Sequence, residues 1–104
     1  LALRGFFVFT GDTRPIPEAL ARFAAEGETV FHDCALKGSP SHTGVGDLAV
    51  NYSQALRDRL VLYHYESSAA GTQLRALGYR LAEPGQCFEL QRTGLPTDNL
   101  LRAV

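Results

Sequence analysis

The chain has 104 residues, a formal net charge of −1, 45% hydrophobic and 20% charged residues, the profile of one ordinary globular domain spanning 1–104. That balance carries no basic footprint for nucleic-acid or membrane-surface binding. No apolar run approaches the ~20 residues of a membrane span, and no charged-then-apolar signal peptide opens the chain. A nucleotide held through metal ions stays open. Cys34 and Cys87 fit no disulfide framework or zinc-knuckle spacing and read as free thiols of a cytoplasmic protein. The chain starts on Leu1 and lacks Met, so it is expected not to begin where its gene begins.

In chain order the pattern reads β-α-β-α-β-α-β. Leu3 to Thr10 is an aromatic and β-branched strand that runs into a Gly11-Asp12 turn. Pro15 and Pro17 suit a first helical turn, and Pro17 to Glu26 sets Leu20, Phe23 and Ala24 on one face before Gly27 stops the helix. Glu28 to Cys34 is the second strand. Lys37 to Gly44 is a loop on composition. A helix is expected over Val45 to Arg59 with Leu48, Tyr52, Ala55 and Leu56 inward, then a strand over Leu60 to Tyr65. Ser67 or Ser68 caps a helix to about Leu77, with Leu74 and Leu77 inward and Gly78 at its end. Tyr79–Ala82 and Cys87–Leu90 flank Glu83-Pro84-Gly85-Gln86, a hairpin pattern. Leu100, Leu101 and Val104 suggest a last docking turn. Strands alternating with helices imply a mainly parallel sheet with a C-terminal hairpin.

Asp12, His32 with Asp33, His42 and His64 all fall at or beyond the C-terminal ends of strands, where open α/β sheets place their chemistry. Asp and neutral His are oxygen and nitrogen ligands for zinc and similar divalent ions. Each also has a plain structural reading: Asp12 as an Asx-turn or helix cap, His64 as a half-buried strand-end histidine, His42 as a solvated loop residue. His32 and Asp33 are neighbours on a strand and point to opposite faces, so at most one faces such a site. An Asp nucleophile at Asp12 for phosphoryl transfer would want a second Asp two residues away, where Thr10 and Arg14 stand.

Phe9-Thr10-Gly11-Asp12-Thr13-Arg14-Pro15, Val30-Phe31-His32-Asp33-Cys34, Ser41-His42-Thr43 and Leu60-Val61-Leu62-Tyr63-His64-Tyr65, in this order, resemble the C-terminal half of a metallo-β-lactamase-fold hydrolase, nearest to the tRNase Z-like phosphodiesterase branch. The resemblance spans about residues 6 to 90. It implies one half of an αβ/βα sandwich and two divalent ions, of zinc type, in the complete protein. Asp12 would bridge the ions and His64 would bind one. His42 would give a proton to the leaving group. Asp33 and His32 occupy the place of a His-Glu pair, with Asp33 supporting His42 or a ligand. Asp33 replaces the Glu, Thr43-Gly44 replaces Ser-Thr, and Tyr65-Glu66 stands where an Arg-Tyr pair follows the last ligand.

The signature His-x-His-x-Asp-His run is absent; the three histidines are His32, His42 and His64. On this resemblance the chain alone is inactive and holds no metal of its own until a missing N-terminal half, or another chain, supplies that run. The implied substrate is a small-molecule or nucleotide phosphodiester, with a lactonase or thioesterase activity as the alternative. As a half that normally packs against a partner sheet, the chain is also expected to expose an apolar face or to self-associate into a homo-oligomer. The rival from another class, supported by the missing run, is a non-catalytic α/β pairing module that uses the Asp12 and His64 strand ends for structure or protein pairing.

Overall fold

A computed structural model describes residues 1–93. They form a mixed α/β architecture: a five-stranded sheet in the order β1-β2-β3-β4-β5, with β1 (Ala2–Leu3), β2 (Phe7–Phe9), β3 (Thr29–Asp33), β4 (Leu60–Tyr63) and β5 (Arg80–Leu81). Only the β1–β2 pair is antiparallel. Four helices connect the parallel strands: α1 (Pro17–Phe23), α2 (Val45–Asn51), α3 (Gln54–Arg57) and α4 (Ser68–Ala76). A sheet that grows in one direction through right-handed crossovers puts every helix on one face. The core shows that arrangement. Leu20, Ala24, Leu48, Tyr52 and Leu74 from the helical segments pack on Val8, Val30, Cys34, Leu60, Leu62 and Leu81 from the sheet. Each of the buried leucines contributes about 1.5–3 kcal/mol over its exposed state.

The other sheet face is aromatic. Phe9 stacks on Tyr63 with ring centroids 4.8 Å apart, and Phe31 meets Phe7 and Phe88 edge-on. No helix among the described residues covers it, and Phe9 and Phe88 remain exposed.

Several expectations are corrected. The first strand is not continuous: Arg4, Gly5 and Phe6 turn it back on itself, with Gly5 at φ +81° and Phe6 N–H bonded to Leu3 O. Gly is needed there because a side chain resists that left-handed backbone. Glu28 braces the turn from within, its buried carboxylate accepting N–H groups of Gly5 (3.2 Å) and Glu26 (2.8 Å).

The helix expected over Val45 to Arg59 breaks at Tyr52 and Ser53, both with extended backbone. Ser53 caps α3 by accepting Leu56 N–H. Tyr52 is held away from helical geometry by two bonds of its hydroxyl, which accepts Ile16 N–H at 2.8 Å and lies 2.6 Å from His32 Nε2. His32 Nδ1 faces the Asp33 carbonyl at 2.7 Å. A carbonyl only accepts, so Nδ1 carries the proton and Nε2 accepts from Tyr52. Ala55 within α3, Phe23 at the end of α1 and Leu77 at the C-cap of α4, all expected inward, are exposed.

The C-terminal hairpin does not form. The turn is present, with Gln86 N–H bonded to Glu83 O and Gly85 at φ +78°, but β5 pairs in parallel with β4. Residues 87–93 instead cross the aromatic face, seating Phe88 on Phe31 and bonding Thr93 N–H to Gly5 O. The docking turn at Leu100, Leu101 and Val104 lies outside the described residues. No helix among the described residues is long and apolar enough to cross a membrane.

Candidate metal centre

Three parallel strands deliver their C-terminal ends to one corner. Asp12 follows β2, Asp33 ends β3, His42 lies in the loop after β3, and His64 follows β4 directly. One ligand atom from each lies within 4.8 Å of the others. Asp33 is central. Its Oδ2 accepts Thr13 N–H at 3.0 Å and contacts His42 Nδ1 at 2.8 Å, and its Oδ1 lies 3.2 Å from His64 Nδ1. Asp12 Oδ1 is 3.8 Å from His64 Nδ1. Asp33 is fully buried, whereas the side chains of Asp12 and His64 are more than half exposed.

The sequence pairs Asp12 with His64 and keeps Asp33 in support. The structure brings all four together around Asp33. His32 is not among them: on the opposite face of β3, it is buried in the core against Tyr52. Burial holds its pKa below the ordinary 6.5, so it is a neutral core residue. Cys34 is also outside the cluster, and burial pushes its thiol up to about 12.

His64 adopts φ +66°, a left-handed backbone uncommon outside glycine and costly to hold. It ends β4 and turns the chain so that the imidazole joins the cluster. The loop carrying His42 is shaped by close backbone packing: a Cβ on Gly38 would meet Gly44 N at 2.9 Å and Arg14 Nη1 at 2.8 Å. Arg14 Nη1 donates to His42 O (2.9 Å), Ser39 O (3.2 Å) and Asp47 Oδ2 (2.8 Å). Asp47 Oδ2 also accepts Gly44 N–H, and that bond with the Arg14 guanidinium holds its carboxyl below the usual range. Thr43 Oγ1 donates to Thr13 O at 2.6 Å, and Glu66 accepts Leu36 N–H. Sequence reasoning assigned no role to Arg14. Its signal was a lone cation two residues beyond the Asp12 turn, facing a loop rich in carbonyls and without a regular strand or helix.

Two carboxylates and two imidazoles at one corner are a donor set that could bind a divalent ion. No curated protein matches the chain. A family model described as Anti-Pycsar protein Apyc1 matches residues 1–88. This match corrects the resemblance drawn from the sequence motifs. The description names neither a metallo-β-lactamase fold, a hydrolase nor a phosphodiesterase. The half-sandwich reading, the inactive part of a dinuclear hydrolase, and the lactonase or thioesterase alternative give way to it. Short strand-end motifs of Asp and His are shared by many α/β sites, which is why they misdirect a family assignment. With residues 1–88 of 104 covered by one family model, the chain belongs to the Anti-Pycsar protein Apyc1 family.

Proposed function

We propose that the chain acts against cyclic-nucleotide signalling by capturing the nucleotide at a divalent-ion site made by Asp12, Asp33, His42 and His64. The family description supports the direction of the activity. The observation that carries the site is the convergence of these four donors within 4.8 Å, at the sheet edge where α/β folds bind ligands. Asp12 and His64, the exposed members, would hold the ion, of zinc type by its nitrogen and oxygen donors. Asp33 would orient both imidazoles, and such hydrogen-bonded support commonly fixes a ligand's ring position. The ion would supply positive charge for the phosphodiester anion of a cyclic nucleotide. His42, anchored through Nδ1, would present its other ring nitrogen toward the ligand. The free thiols of Cys34 and Cys87 suit the cytoplasm, where such nucleotides signal.

Calorimetric titration of nucleoside 3′,5′-cyclic monophosphates into the zinc-loaded chain tests the reading. Saturable binding that disappears with chelator supports it. Equal binding with and without zinc, or none in either state, overturns it.

A second reading, a non-catalytic module that pairs with another copy, is favoured by the aromatic face, crossed among the described residues only by the segment 87–93 and with Phe9 and Phe88 exposed. Sedimentation that shows a monomer at high concentration would remove it.

A further inference from the structure

We infer that the hollow beside His64 is a nucleoside subsite, which takes the base of the cyclic nucleotide whose phosphate the ion holds; this rests on the proposed function above. The hollow has a volume of about 460 Å³ and lies between the segment after β4 and the turn after β5. It shares His64 with the Asp and His cluster, so a ligand anchored there by its phosphate has its sugar and base directed into this space.

The walls suit a base. Tyr65 is fixed on two sides. Its hydroxyl donates to Ala82 O at 3.2 Å, and its ring presses on α4 so closely that a Cβ on Gly71 would lie 2.9 Å from Tyr65 Cε2. A ring held this way is a stacking surface that loses little freedom when a ligand arrives. Pro84, Ser68 and Glu83 also line the hollow. Arg75 Nη2 lies 2.5 Å from Glu83 Oε1, which fixes the carboxylate and leaves Oε2 to accept a ring N–H or exocyclic amine. Beyond Tyr65 the depression continues past Thr72 to Arg75. One aromatic plane and one oriented acceptor next to an anion site form a composite that plain phosphate would not need.

The test compares two probes on the zinc-loaded chain: the four nucleoside 3′,5′-cyclic monophosphates, and ribose 3′,5′-cyclic phosphate, which has no base. The nucleotides are expected to bind roughly tenfold or more tightly than the base-less probe, the scale of one stacked base. Tyr65→Leu should abolish that advantage and leave the base-less affinity unchanged. Tyr65→Phe, which keeps the ring, should retain it. Glu83→Gln should change the order of affinity among the four bases. Circular dichroism melts confirm that each variant is folded; if Tyr65→Leu is not, the wild-type comparison decides alone. Equal affinity for nucleotides and the base-less probe overturns the inference and leaves the ion-site reading standing. Failure of both probes to bind overturns both.

Discussion

Asp33 and His42, nine residues apart, meet through a 2.8 Å contact between Oδ2 and Nδ1, and the same oxygen also accepts Thr13 N–H. The last residue of β3 thereby joins the loops after β2 and β3. Asp33→Asn puts an amide where two groups need an acceptor, or turns its N–H₂ toward one of them. The expected cost is about 1–3 kcal/mol, since a buried donor is left unpaired. Urea unfolding measures that loss, and zinc titration of the same variant should show at least tenfold weaker affinity, roughly the lower bound for loss of such a supporting group.

Asp12 and His64 behave differently because they are exposed. Asp12→Asn and His64→Asn should each leave the unfolding midpoint within about 0.5 kcal/mol of wild type. Asn is chosen at 64 because it tolerates the left-handed backbone. Zinc affinity should fall in both. Unchanged zinc affinity in both variants would place the ion elsewhere.

Glu28 governs stability in acid. Burial pushes its pKa up, but the backbone N–H groups of Glu28 itself, Gly5 and Glu26 outweigh that and hold it below the ordinary 4.5. The unfolded chain thus takes up this proton at higher pH than the folded chain. Its contribution is present above pH 4.5 and is lost as pH falls through the folded value. Asp47, also held low, acts in the same direction from its ordinary 3.8. Glu28→Gln should lower stability at neutral pH by about 1–3 kcal/mol and flatten its decline in acid. Urea midpoints measured across that range check both effects.

The strand-end placement of Asp12, His42 and His64 was legible because parallel strands align their C-terminal ends whatever the loops do. The central position of Asp33 was not: alternation shows that it and His32 face opposite ways, but not which face carries the helices. The break at Tyr52 was hidden for a similar reason. Val45 to Arg59 has good helical spacing, and only the distant partners Ile16 and His32 pull Tyr52 out of it. The false hairpin came from a true turn at Pro84-Gly85, whose second arm finds Phe31 and Gly5 instead of β5.

Gly44 has φ −95°, so its need for glycine is one of space alone. A Cβ there would overlap the Gly38 backbone nitrogen and lie 2.9 Å from Gly38 Cα. Gly44→Ala must therefore open the loop that holds His42. The expected loss is about 2–4 kcal/mol, at or above the usual range for overpacking, because backbone has little room to yield. Zinc affinity should fall with it. Thermal unfolding and zinc titration check the two together, and a stable variant with intact affinity would contradict the tight loop.

Arg14 couples two stretches that the chain keeps apart. It stands two residues after Asp12 and grips the carbonyls of Ser39 and His42. The segments bearing an exposed carboxylate and a loop imidazole are therefore tied to each other through one guanidinium. Ordering these donors becomes part of folding, so the proposed ion would meet a corner already tied together. Freeing the guanidinium removes one of these ties and leaves the Thr43 Oγ1 bond to Thr13 O and the Asp33 contacts with Thr13 and His42. If the corner loosens first on heating, zinc affinity measured against temperature is expected to fall before the sheet itself unfolds.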